Sequence, residues 1–170
     1  MPAENLTYTA QWNIVTYTIT YENLNGATHT NPEEYTVETA AITLTDPTER
    51  AGYVFAGWYS DANYTTKVTQ IPQGSTDNIT LYAKWLEIFT ITWMVNGEVS
   101  ATTEVVEGES ITPPASPDPG DYCGQVFAGW TDAEMAETSV AAPTLYPTPN
   151  PFPKASANTT FYAVFADYQE

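Results

Sequence analysis

Tyr17-Thr-Ile-Thr-Tyr21 recurs 72 residues later as Phe89-Thr-Ile-Thr-Trp93, and Phe55-Ala-Gly-Trp58 recurs unchanged at the same spacing as Phe127-Ala-Gly-Trp130. Between these blocks, Val37-Glu-Thr-Ala-Ala-Ile42-Thr returns loosely as Val106-Glu-Gly-Glu-Ser-Ile111-Thr. After them, Asn78-Ile-Thr-Leu-Tyr-Ala-Lys-Trp85 returns as Asn158-Thr-Thr-Phe-Tyr-Ala-Val-Phe165, at a spacing of 80. Four blocks in one order are an internal duplication, the mark of an array of small units. The last block has a third occurrence, Asn5-Leu-Thr-Tyr-Thr-Ala-Gln-Trp12, 73 residues before its partner at Asn78. This spacing divides the chain into residues 1–12, the last strand of a preceding repeat, then modules at 13–87 and 88–170.

Each block alternates with period two, as a half-buried strand does. Tyr17, Ile19 and Tyr21 share one face, with Thr18 and Thr20 on the other; Leu81, Ala83 and Trp85 share a face, as do Phe161, Ala163 and Phe165. Asn25-Gly26 and Asn96-Gly97 follow the first strand of each copy and favour tight turns. No sustained helical stripe is present, although residues 61–70 or 131–140 have room for a short helix. The second copy has eight more residues than the first between its Gly-Trp strand and its last strand, within the insert from Thr131 to Pro153. Pro143, Pro147, Pro149, Pro151 and Pro153 fix φ and remove donors there, so it reads as a semi-rigid loop rather than added strands.

Composition agrees with a β-dominated chain. Apolar residues make up 42% and aromatic residues 14%, enough to build a core in a short module where each Tyr or Trp buries a large surface. Thr, Val, Ile and Tyr dominate over the good helix formers. The 21 acidic and four basic residues give a net charge of −17, a field that repels phosphate backbones and anionic membranes. Nucleic-acid binding is therefore not expected. Cys123 is the only cysteine, so no intrachain disulfide forms. No apolar run reaches the length of a membrane span, so no membrane insertion is expected in this segment. The start, MPAENLTYTAQW, has neither the basic nor the apolar stretch of a signal peptide, as expected of a piece of a longer exported protein.

Three strings in the first copy are similar to a known family: Tyr17-Thr-Ile-Thr-Tyr21, Gly52-Tyr-Val-Phe-Ala-Gly-Trp-Tyr59 and Leu81-Tyr-Ala-Lys-Trp85. They resemble the Listeria–Bacteroides repeat, also called the internalin-B-type B repeat. The resemblance covers residues 13–86 closely and 88–166 more loosely; in the second copy Gln125 stands in place of the Tyr and Phe165 in place of the final Trp. It implies small β-grasp-like (ubiquitin-like) modules, a β-dominated α+β class, repeated in bacterial cell-surface proteins as a stalk or adhesive region. It does not imply an enzyme.

Residue chemistry points the same way. His29, the only histidine, lies in a polar loop of the first copy and Cys123 in the second, and no hydrolase, zincin, P-loop or dinucleotide string occurs. No cofactor is expected. Glu104, Glu107, Glu109, Asp118 and Asp121 offer oxygen ligands, but without the compact spacing of a calcium loop, so they read as a solvated acidic face and no metal site is expected. Repeated aromatics such as Trp58 and Trp130, each beside a glycine that permits close approach, read as core. Tyr82 and Tyr162, which alternate outward, and the loop residues Tyr64, Tyr146 and Phe152 are the better contact candidates for a host protein or glycan. The Asn-x-Ser/Thr sequons at Asn5, Asn78 and Asn158 fall on the repeat position itself and read as by-products of strand chemistry. Lys84 should face outward, and Lys67 and Lys154 lie in loops, which disfavours isopeptide crosslinks. The expected function is a non-catalytic, extracellular spacer whose partners are neighbouring repeats. The alternative is an adhesion module acting through the insert at 131–153.

Overall fold

The computed structural model describes residues 7, 9–118, 124–134, 143–147 and 151–167. They fall into two units, Met1–Arg50 with Phe55–Trp85, and Ala51–Val54 with Leu86–Glu170. Ten strands make up the described structure: β1 Thr16–Glu22, β2 Glu34–Thr36, β3 Ile42–Thr43, β4 Tyr53–Tyr59, β5 Lys67–Val68, β6 Gln70–Ile71, β7 Ile79–Val95, β8 Glu98–Val106, β9 Gln125–Thr131 and β10 Thr159–Asp167. The 17-residue β7 supplies the last strand of the first unit and the first strand of the second.

In the first unit β1 is flanked by β2, antiparallel, and by the start of β7, parallel, with Ile19 opposite Ile79 and Tyr21 opposite Leu81. β7 also pairs with β4, and β4 with β5 through Trp58 and Val68. A parallel pair needs a long crossover, usually a helix. Here the crossover is built from β2 to β6, including the separate β3–β6 pair of Ile42 with Ile71. The alternation of β1 is realised: Ile19 is buried while Thr18 and Thr20 are exposed. Ile19, Tyr35, Ile42, Trp58, Ile71, Leu81 and Ala83 form the core.

The second unit repeats that order. β8 pairs antiparallel with the second part of β7, β10 pairs parallel with β7, with Phe161 opposite Trp93, and β9 pairs antiparallel with β10. The order β8-β7-β10-β9 thus matches β2-β1-β7-β4. Single bridges, Trp130 with Tyr146 and Ser110 with Lys154, stand where β4–β5 and β3–β6 stand in the first unit. Phe89, Ile91, Trp93, Ile111, Trp130, Ala155 and Phe161 form its core.

The structure corrects two expectations and bears out the turns. No helix occurs among the described residues, so the α+β class gives way to a β-only description, and residues 61–70 are turns and short strands; residues 135–140 lie outside the described set. Lys67 sits in β5 rather than in a loop. The turn at Asn25-Gly26 forms, with both φ angles positive and Ala27 N–H donating to Leu24 O at 3.0 Å, but it closes no hairpin. Asn23 also has positive φ, 62°, and turns the chain away from β1. Asn96-Gly97, with φ of 51° and 80°, does close the β7–β8 hairpin.

The repeated asparagine has a role that spacing did not reveal. Asn78 Oδ1 accepts the Thr18 N–H at 3.0 Å, and Asn158 Oδ1 accepts the Thr90 N–H at 2.8 Å. Each ties the residue before the last strand to the first strand of the same unit. Asn78→Ala and Asn158→Ala should each cost about 0.5–1.5 kcal/mol, the range for one net hydrogen bond. Urea midpoints of the two variants check this, and unchanged midpoints would remove the tether from the account.

Tyr21 offers a pH test of the first core. Its ring packs edge-on to Trp58 at 5.1 Å and against His29 at 4.0 Å, and its hydroxyl donates to Pro32 O at 2.8 Å. Burial, with the nearby Glu33 carboxylate adding to it, pushes the phenol from the ordinary 10.0 up to about 12. A folded-state value above the unfolded one means a contribution to stability that is complete below pH 10 and lost as pH rises toward 12. The difference between the 295 nm alkaline titrations of the parent and Tyr21→Phe should isolate this late phenol; a difference centred near pH 10 would refute it.

Candidate functional site

The loop between β4 and β5 is organised around one carboxylate. Asp61 Oδ1 accepts the N–H of Asn63 at 3.1 Å, and its Oδ2 accepts the Thr65 hydroxyl and the Thr66 N–H, both at 2.9 Å. These donors, the Thr66 N–H foremost, hold the Asp61 carboxyl below its ordinary pKa. Ser60 N–H donates to Thr66 O at 3.0 Å and closes the loop. Tyr64 sits inside it at φ 55°, a left-handed conformation unusual for an aromatic residue.

Tyr64 presents its ring edge-on to Tyr59, with centroids 5.6 Å apart. Lys84 Nζ lies 5.6 Å from the Tyr59 ring centroid and 5.7 Å from that of Tyr64, within cation–π range of both. Asn23 Nδ2 donates to the Tyr64 hydroxyl at 2.9 Å, and Asn23 O accepts the Trp85 indole N–H at 3.0 Å. Arg50 stands over the Trp85 ring at 5.8 Å. Two of the four basic residues of the chain are thus gathered with aromatic rings in one unit. Of this group the sequence nominated only Tyr64 as a contact residue. Asn23, Tyr59 and Lys84 join it through the turn after β1 and the alternation of β4 and β7, which no local string announces.

The other nominated residues lie apart from it. Tyr82 is half-buried on β7, opposite Glu22 of β1. Tyr146 and Phe152 stack on each other at 5.4 Å, and both pack on Phe161, with Phe152 also against Trp93. They extend the second core outward. Burial, aided by the Asp132 carboxylate, raises the Tyr146 phenol pKa. Tyr162 lines a recess of about 230 Å³ with Met94, Asn96, Gly97, Glu134 and Ala163. Trp58 and Trp130 are both buried, in line with the core reading.

Among the described residues, no three His, Cys, Asp or Glu side chains gather as metal ligands. Glu107 is engaged weakly, its Oε2 accepting the Glu87 N–H at 3.4 Å; Asp121 and Cys123 lie outside the described residues. No helix among the described residues is long and apolar enough to cross a membrane.

Two proteins of Evansella cellulosilytica are similar to this chain. One, assigned by name only as a membrane protein, is 33% identical over 135 residues, 78% of this chain and 19% of that protein. The other, assigned by name only as a Gly-rich membrane protein, is 34% identical over 137 residues, 79% of this chain and 15% of its own length. The chain thus spans less than a fifth of either relative. The profile of the Listeria-Bacteroides repeat domain matches residues 17–84 and again 89–164, most of the chain and one match to each set of sequence blocks. The chain belongs to the Listeria-Bacteroides repeat domain family, as two tandem copies.

Proposed function

We propose that this chain is a non-catalytic, load-bearing spacer from the extracellular part of a bacterial surface protein, built from helix-free variants of the β-grasp fold. The observation that carries the reading is the same in both units: the first and last strands are adjacent and parallel. Tension entering at one strand and leaving at the other shears the pair along its length. The ladder bonds then share the load and break together, whereas a hairpin pulled at its open end unzips one bond at a time. The strand order, with a central parallel pair flanked by antiparallel neighbours, supports the β-grasp assignment. Membrane-protein names on relatives much longer than this chain support a place in a surface protein.

Single-molecule stretching from the two ends tests this. Two discrete rupture events are expected, each releasing roughly 3.5 Å of chain per residue unfolded. A smooth extension without force peaks would sink the spacer reading. A second reading, adhesion to a host protein or glycan, is favoured by the Tyr59–Tyr64–Lys84 group, where a left-handed aromatic residue is held in place by its loop. Saturable binding to cells or a glycan panel that is lost in Tyr64→Gly would support it. The described aromatics of the insert, Tyr146 and Phe152, are committed to packing, so we place the adhesive face on the first unit.

A further inference from the structure

Lys84 is a cation held without an anion. Its ammonium lies 5.6 and 5.7 Å from the ring centroids of Tyr59 and Tyr64, and no oxygen among the described residues accepts any of its N–H donors. Lys67, on β5, shows the contrast, since its Nζ donates to Ala56 O at 2.7 Å. A free ammonium is unexpected in a chain with 21 acidic and four basic residues, where carboxylate partners abound. The rings around it are themselves fixed. Tyr64 keeps its left-handed backbone, φ 55°, because Asp61 binds the Asn63 N–H before it and the Thr65 and Thr66 N–H groups after it. A bulky residue persists in that conformation only where its surroundings over-determine it, and such residues cluster at ligand sites. The Tyr64 hydroxyl accepts the Asn23 amide at 2.9 Å and so keeps its own proton to donate. Tyr59, Tyr64 and Lys84 are each half-buried, which leaves part of each open to solvent.

We propose that this corner binds a saccharide carrying a single carboxylate. The Lys84 ammonium takes the carboxylate, the Tyr64 hydroxyl donates to a sugar oxygen, and the tyrosine rings pack on the sugar's C–H surface. Charge sets the ligand class. One cation matches one carboxylate in a charge-assisted hydrogen bond. A net charge of −17 repels a polysulfated or polyphosphate chain. A neutral sugar would leave the ammonium without its counter-ion. Hexuronic acids of polysaccharides and nine-carbon sialic acids at chain ends share this chemistry, and the test separates them. The inference rests on the adhesive reading and names its ligand.

The test titrates the full chain, followed by amide chemical shifts, with methyl β-D-glucuronide, methyl α-N-acetylneuraminide, neutral methyl β-D-glucoside and acetate. An acidic glycoside should saturate the shifts of Tyr59, Tyr64 and Lys84 with a Kd on the order of 1 mM. The glucoside and acetate should bind roughly tenfold more weakly or worse. A response to one acidic glycoside alone assigns the source. Lys84→Gln should abolish the preference for the acids. Tyr64→Gly, which suits the positive φ, should lose binding without a fall in melting temperature. Lys67→Gln should bind as the parent does. The proposal is overturned by no saturation with either acid below about 20 mM, by equal affinity for the glucoside or acetate, or by an equal loss in Lys84→Gln and Lys67→Gln. Cell binding that survives Lys84→Gln overturns this ligand and leaves adhesion standing. Acidic-glycoside binding without any cell binding upholds the site and removes the adhesive role.

Discussion

Trp93→Ala is expected to unfold the second unit under conditions that leave the first folded. Trp93 is wholly buried, stacked on Phe161 at 5.1 Å, edge-on to Trp130 at 4.9 Å and to Phe152 at 5.7 Å. Its indole N–H donates to Thr103 Oγ1 at 3.1 Å. Truncation removes the centre of a four-ring cluster and leaves a cavity that the pinned strands β7 and β10 cannot close. Losses of about 3–5 kcal/mol are typical of such a change. A module of this size has only about 4–12 kcal/mol in total. The loss translates to a fall of roughly 15 °C or more in its melting temperature.

The equivalent position in the first unit is Tyr21, half-buried, with its hydroxyl spent on Pro32 O. Tyr21→Ala should therefore cost less than Trp93→Ala. Limited proteolysis across a temperature ramp separates the units: Trp93→Ala should release fragments from residues 88–167 first and leave an N-terminal core. Equal sensitivity of both units, or a shift of under 3 °C or so, would contradict the separate-core account.

The ring cluster also marks how far the sequence could be read. Period-two alternation identified which side chains face inward, and Ile19, Leu81, Ala83 and Phe161 are buried as it requires. Alternation carries no information on which strands are neighbours. The parallel pairing of β1 with β7, and of β7 with β10, joins segments about sixty to seventy residues apart and has no local signature. The join at Trp85 to Phe89 reads as short; it runs on as one strand, β7, whose residues from Ile88 onward ladder to β8. Asn25-Gly26 shows the limit of turn chemistry. The dipeptide sets its own φ angles, but whether strands flank it depends on residues such as Asn23. The candidate site was less legible than the fold. Tyr64 is held by Asp61 and meets Lys84 from another strand, and nothing in a one-dimensional pattern places Lys84 across from Tyr59.

Gly129→Ala should be among the most damaging single-methyl additions in the chain, and Gly57→Ala markedly milder, although both glycines come from the same Phe-Ala-Gly-Trp string. Gly129 has φ +152° and Gly57 φ +130°, so an L-residue is strained at either place, by about 1–3 kcal/mol. What differs is the atom that a new Cβ would meet. At Gly129 it would lie 2.9 Å from the backbone oxygen of Tyr146. That carbonyl is fixed by the Trp130 N–H at 2.9 Å, and the Tyr146 N–H donates back to Trp130 O at 2.8 Å. Relief requires breaking the bridge that seats Tyr146 and Phe152 on the core.

At Gly57 the intruding group would meet Lys67 Cε at 2.3 Å and Nζ at 2.8 Å, the end of a flexible side chain. Lys67 can swing away, giving up its 2.7 Å hydrogen bond to Ala56 O. The Gly129→Ala penalty should therefore exceed that of Gly57→Ala by about 1–2 kcal/mol, the cost of one disrupted bridge. A double-mutant cycle makes the argument exact at the milder site. If the clash is with the lysine tail, Gly57→Ala in a Lys67→Ala background should cost less than in the parent, leaving the φ strain alone. Additive losses at Gly57 and Lys67, or equal penalties at the two glycines, would show that φ strain decides both positions. The repeated glycine would then answer to backbone conformation, and the close approach of Lys67 and Tyr146 would be its consequence.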